Sequence, residues 1–185
     1  MRAFKVLALS AALVSMPLIA AAEMTFNHTI TGEALDLSNA EGTDTPAAKH
    51  FLETGENLYT EVPNCLAEGE QTFLASCSGC HGHVGEGKIG PGLNDDYYTY
   101  PKNKTDKGLF ETMWGGARSM MGPHSDLGVD ESLKVIAWIR HFYKDDPAEA
   151  TWLTEEQRKT FKPYDAEHPT SVEATGDCKV PEGKS

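Results

Sequence analysis

The stretch that decides the reading of this chain is Cys77–His83, "CSGCHGH". Two thiols stand three positions apart, and an imidazole follows the second at once. C-x-x-C-H is the attachment signal of a c-type haem. Two intervening residues let the thiols reach two vinyl groups on neighbouring pyrroles. The next residue then lies under the iron, where the His81 imidazole becomes the proximal ligand. Three rival chemistries use the same residues. A thioredoxin-type redox pair calls for a βαβ setting, whereas this chain offers helices and glycine loops. A zinc site needs a second ligand pair, and Cys65 and Cys178 make a poor remote pair beside His81 and His83. A plain Cys77–Cys80 disulfide leaves His81 unexplained.

A haem held by one histidine in an electron carrier calls for a sixth ligand, commonly methionine. The segment 115–126, "GGARSMMGPHSD", is a loop loosened by Gly115, Gly116 and Gly122 and stiffened at its exit by Pro123. It offers Met120, Met121 and His124. Met121, two residues before the proline, is the preferred candidate; Met120 is second and His124 third. A loop methionine is by default a filler of gaps in a core, but a haem short of a ligand reverses that default. Arg118 is a candidate partner for a propionate or a solvated side chain. His83 and His141 read as surface residues.

Around this segment the elements are mostly helical. Residues 25–37 alternate at first, with Phe26, His28 and Ile30 on one face, which predicts a short strand. Thr45, Pro46 and Gly55 bracket a short helix. A second helix is expected over about Leu66–Ser76, with Leu66, Phe73 and Leu74 on one face and Gly69 near it. The glycine-rich 81–96 is loop. Thr105 caps a middle helix that ends at Gly115-Gly116. The clearest helix is "DESLKVIAWIRHFYKDDP" (130–147), with Asp130 as its cap. Leu133, Ile136, Ala137 and Arg140 form its stripe, and Val135, Ile139 and Phe142 lie beside it. Thr154 and Gln157 make a capping box. The tail after Tyr164 is polar and irregular.

The chain has 185 residues and opens with a basic n-region (Arg2, Lys5), an apolar run and an Ala20-Ala21-Ala22 cleavage site. Residues 1–22 therefore read as a cleaved secretory signal, too short for a spanning helix of roughly 20 apolar residues. That address implies an oxidising periplasm, where disulfides persist. With 28 acidic against 16 basic residues the net charge is -12. Such a balance argues against nucleic acid as a partner and suits a basic protein.

The order helix, CSGCH, "GPGL", middle helix, "MMGP", "VIAWIRHFY" resembles the class I cytochromes c. The expected fold is therefore mostly α, with crossed N- and C-terminal helices around a covalent haem. It would form a single domain over 23–185, with a haem core over about 65–146 and extensions at 23–64 and 147–185. In that family a small residue faces an aromatic where the helices cross, a pattern matched by Gly69 and Phe73 opposite Trp138. The Pro91 carbonyl would accept a hydrogen bond from the proximal histidine, fixing its ring. The segments 31–59 and 76–101, with "MMGPH" and "IAWIRHFY", narrow the resemblance to the cytochrome cL family. These are acidic periplasmic cytochromes that accept electrons from quinoprotein methanol dehydrogenase.

The resemblance implies Cys77 and Cys80 as haem attachment points, with His81 and Met121 as axial ligands. The donor would be methanol dehydrogenase and the acceptor a basic c-type cytochrome, the carrier acting as a monomer. Also implied is a calcium ion near the haem, for which Asn94, Asp95 and Asp96 are candidates beside the reading of an ordinary polar turn. A Cys65–Cys178 disulfide would pin the tail to the first haem-core helix. Val84, Ile89 and Met120 are candidates for the docking edge. Two other readings stay open from the residues: a haem enzyme with an open sixth site, and a carrier for another dehydrogenase or an oxidase.

Overall fold

The computed structural model describes residues 24–167, 172–180 and 183. The expected signal segment lies outside the described residues. Six α-helices follow in order: α1 Pro46–Thr54, α2 Pro63–Ser76, α3 Ser78–His81, α4 Asp106–Gly115, α5 Gly128–His141 and α6 Glu155–Thr160. Short 3₁₀ turns at Pro101–Lys104, Ser125–Leu127 and Pro147–Glu149 connect them.

Local chemistry explains most boundaries. The Thr45 and Thr105 hydroxyls accept from the amides of Ala48 and Gly108, capping α1 and α4. Gly55 closes α1 in a left-handed conformation. Thr154 and Gln157 form a complete capping box at α6. Three expectations are corrected. Residues 25–37 hold only an isolated Asn27–Ala34 bridge, because Phe26 turns into the core while Ile30 stays exposed. α2 begins three residues early, since Pro63 suits the first helical position. α5 begins at Gly128, so Asp130 sits inside its first turn. The Asp130 carboxylate instead accepts from the hydroxyls of Thr45 (2.7 Å) and Tyr59 (2.5 Å).

Among the described residues, the crossing of α2 and α5 is the most extensive helix contact. It depends on Gly69: a Cβ there would stand 2.1 Å from the Lys134 carbonyl oxygen. Phe73 follows one turn later and meets the edge of Phe142 at 5.2 Å. Trp138, the expected partner, lies one ring further on, against Phe142 at 6.0 Å. Leu74, expected on the same face, is 44 % exposed. His141, expected at the surface, is half-buried, stacked on Trp138 and bonded to Glu61 at 3.1 Å.

Both extensions are built into this core. Phe26 packs on Phe51 and Phe110 at 5.5 and 5.4 Å. The backbone beside it is clasped by Glu111, which accepts from the Asn27 amide and from Lys102 and Lys107. At the other end the tail runs along α2, where the Thr175 and Cys178 amides donate to Asn64 and Glu68. Cys65 and Cys178 are bonded, closing a loop of 113 residues. In the chain-entropy account such a closure contributes on the order of 4–5 kcal/mol.

Two outcomes follow from this packing. Gly69→Ala forces α2 and α5 apart and should lower stability by roughly 1–3 kcal/mol or more in urea unfolding. Burial works against ionised Glu111, but its lysine and amide contacts outweigh that and hold its carboxyl below the ordinary 4.5. A lowered folded pKa contributes stability above the unfolded value and loses it as pH falls through the folded one. Melting temperature should therefore fall below about pH 4, and Glu111→Gln should flatten that acid limb while lowering stability at pH 7.

Candidate functional site

α2 ends at Ser76, and the Cys77 amide caps it by donating to the Phe73 carbonyl at 2.8 Å. The chain turns directly into the single turn α3, which carries Cys80 and His81. This places Cys77, Cys80 and His81 together on one wall of a cavity of about 860 Å³. Leu93, Leu109, Met113 and Ile139 supply apolar lining, and the loop 117–124 closes another side. A mostly apolar hollow of this size suits a large organic ligand rather than a bare ion.

The geometry of His81 is determined by its loop. Its Nδ1 lies 2.9 Å from the Pro91 carbonyl oxygen. A carbonyl only accepts, so Nδ1 carries a proton, and in the neutral ring Nε2 then holds the lone pair. Gly90 allows the close approach, since a Cβ there would lie 2.7 Å from the imidazole. The Gly90 amide donates back to the Cys80 carbonyl at 2.9 Å, and the Gly87 amide to the His81 carbonyl at 2.7 Å. The glycine-rich loop is thus a brace for the histidine.

Cys77 and Cys80 are unbonded to each other, the first half-buried and the second exposed. Burial, with Cys80 adding to it, pushes the Cys77 thiol up to about 11. Two thiols and an imidazole with a free lone pair, on one wall of an apolar cavity, fit a haem attached through thioethers and ligated by His81.

On the facing loop, Met120, Met121 and His124 all line the cavity. They differ in burial. Met120 is 74 % exposed, whereas Met121 is half-buried and packs against the main core. The loop is pinched shut at its neck: the Ala117 amide donates to the Met121 carbonyl, and a Cβ at Gly116 would lie 2.9 Å from that oxygen. Arg118 is exposed at the cavity's rim, its amide donating to the Tyr100 hydroxyl. His83 is exposed and apart from the cavity.

The calcium candidates are consecutive residues, and the buried Asn94 Oδ1 has no hydrogen-bond partner among the described residues. The Asn94 side chain donates to the Val84 carbonyl, Asp95 faces Lys144 at 3.8 Å, and the Asp96 amide donates to Asp145. Among the described residues no three acidic, histidine or cysteine side chains gather as a metal site. Of the docking candidates, Ile89 and Met120 are exposed at the cavity mouth, joined by Ile30 from the N-terminal extension. Val84 is half-buried away from it. The sequence reading missed the polar end of the cavity formed by Tyr98 and Asn103. Its one signal was Arg140, a charge on an otherwise apolar helix stripe, which implies a buried partner.

Comparison with known proteins places this geometry. Residues 64–139 match the family model of cytochrome c oxidase, cbb3-type, subunit III. Cytochrome c-L of Methylorubrum extorquens is 56 % identical over 157 residues, which span 83 % of this chain and 80 % of that one. The crystal structure of cytochrome CL from the marine methylotroph Methylophaga aminisulfidivorans superposes with a TM-score of 0.75 at 54 % identity. That match covers 78 % of this chain and 97 % of the other. Cytochrome cL of Hyphomicrobium denitrificans gives a TM-score of 0.72 at 61 % identity, over 79 % and 89 % of the two chains. Its helices, its C-x-x-C-H wall and these relatives agree: the chain belongs to the cytochrome c-L family, haem-bearing electron-transfer proteins of the class I cytochrome c fold.

Proposed function

We propose that this chain is a periplasmic one-electron carrier that takes electrons from quinoprotein methanol dehydrogenase and delivers them to a more basic c-type cytochrome. The observation that carries the site is the braced His81, its Nε2 free beside Cys77 and Cys80 at the wall of an apolar cavity. The bound haem supplies an iron that accepts and releases one electron. The protein's part is to hold and shield it. Cys77 and Cys80 would tether it by thioethers, and His81 and Met121 would ligate its iron. The half-buried position of Met121, against the exposure of Met120, favours this choice of sixth ligand. A neutral, soft thioether favours Fe(II) and so raises the potential.

Partner choice rests on family membership together with surface chemistry. Ile30, Ile89 and Met120 give an apolar contact at the cavity mouth. A chain of net charge -12 steers a basic acceptor. No helix among the described residues is long and apolar enough to cross a membrane.

Two experiments test this reading. In the first, oxidised holoprotein is mixed with purified methanol dehydrogenase and methanol. The haem should reduce within the enzyme's turnover time; an unchanged spectrum would remove methanol dehydrogenase as the donor. With the basic acceptor cytochrome, transfer should slow as ionic strength rises, because the Debye length shrinks from about 10 Å at 0.1 M to about 3 Å at 1 M. In the second, Met121→Ala should abolish the weak near-infrared methionine-to-iron band while Met120→Ala keeps it. Gly90→Ala, which drives a methyl into the imidazole, should weaken the His81 bond and favour high-spin iron. Persistence of the band in Met121→Ala would move the sixth ligand to Met120.

A further inference from the structure

The N-terminal extension reaches the cavity at a single turn, residues 28–32. Thr29 and Ile30 line the same cavity as Cys77, Cys80 and His81. The matched family model spans residues 64–139, so this part of the mouth is supplied from outside that core. Ile30 is 37 % exposed, against 70 % for Ile89 and 74 % for Met120. Of the three apolar residues at the mouth, it therefore belongs as much to the cavity wall as to the surface.

The turn is anchored at its base. The Asn27 amide donates to Glu111 at 2.8 Å, and Lys102 donates to the Asn27 carbonyl at 3.1 Å. The Thr29 and Thr112 hydroxyls share a hydrogen bond at 2.8 Å. The chain reverses through Gly32, whose left-handed φ of 74° suits glycine. At the tip the hold is a side chain. The Ile30 and Thr31 amides both donate to His28 Nδ1, at 3.1 and 3.3 Å. An atom accepting from two amides carries no proton, so His28 is the neutral tautomer protonated at Nε2. Its ring is seated on Gly115, the last residue of α4, where a Cβ would lie 2.8 Å from the imidazole. The imidazole thus joins the tip of the turn to the end of the helix that leads into the loop of Met120 and Met121.

We propose that His28 is a positioning residue whose Nδ1 latches the 29–32 turn as a lip at the cavity mouth, so that Ile30 screens the bound haem from water and raises its reduction potential. The ferric haem carries one more positive charge than the ferrous haem, and water solvates the more highly charged form better. An apolar cover therefore favours Fe(II). This inference rests on the haem reading above. It assigns the N-terminal extension a redox role besides its packing on Phe51 and Phe110.

Two measurements on purified holoprotein test it, with covalent haem content followed by the alkaline pyridine spectrum. The first is amide hydrogen exchange by NMR in the ferrous state, which reads the latch directly. The Ile30 and Thr31 amides should be protected in wild type and exchange about tenfold faster in His28→Ala. His28→Asn should restore protection at Ile30, because an asparagine oxygen accepts from the amide two residues on. The second is spectroelectrochemical titration at pH 7. Ile30→Ser and His28→Ala should keep the haem and the near-infrared band, yet shift the redox equilibrium about threefold toward Fe(III). His28→Asn should lie nearer wild type. Unprotected Ile30 and Thr31 amides in wild type, or no rescue by His28→Asn, overturn the latch. A haem-loaded Ile30→Ser protein that titrates together with wild type overturns the screening role and leaves the haem reading standing. Wild-type protein without covalent haem overturns the haem reading and the redox role together, and the exchange rates still decide the latch.

Discussion

The contact on which the rest depends is the absence of a side chain at Gly69. It lets α2 lie against the backbone of α5 at Lys134. Everything downstream inherits that closeness. Phe73, one turn on, reaches Phe142, and Gly85 of the loop after His81 packs on the same ring, with no room for a Cβ. Phe142 is thus wedged between the helix that delivers the cysteines and the loop that braces the histidine. One helix, α5, fixes both, and it also carries Ile139 into the cavity wall.

α5 works from its other side as well. Asp130 in its first turn receives Thr45 and Tyr59 from the N-terminal extension. Arg140 in its last turn is covered by Trp152 from the C-terminal extension. Lys134, between them, pairs with Glu68, Asp130 and Glu131. These contacts hold its ammonium above the ordinary lysine value, although burial opposes them. The extensions are therefore bound to the helix that organises the site. That gives a physical reason for an electron carrier of this size to keep them: a helix that positions a redox centre must not shift when a partner docks.

Much of this was legible before any coordinates. Helices α1, α4 and α6 were readable because Thr45, Thr105, Thr154 and the closing glycines act on neighbours within one turn. The strand expected at 25–37 failed because its alternation described local spacing alone, while Phe26 is claimed by Phe51 and Phe110 from two distant helices. Asp130 was misread as a cap for the same reason: its hydroxyl partners lie about 70 and 85 residues away. The polar end of the cavity stayed hidden because Tyr98, Asn103 and Arg140 share no spacing motif. Arg140 alone showed as a charge out of place on an apolar stripe.

What the sequence by itself determined is chemistry set by covalent neighbours. Two thiols three residues apart with a histidine next to them form the pattern that calls for a haem, and Pro91 ten residues on is near enough to brace the ring. Caps and stops are of the same kind, since their partners lie within a turn. Only the tertiary structure decided which groups are kept from water. It turned Met121 toward the core and left Met120 outside. It buried Arg140 under a tryptophan from another segment. It set Phe142, not Trp138, against Phe73. Burial and charge compensation depend on surfaces brought together from remote parts of the chain, and no local spacing encodes that meeting.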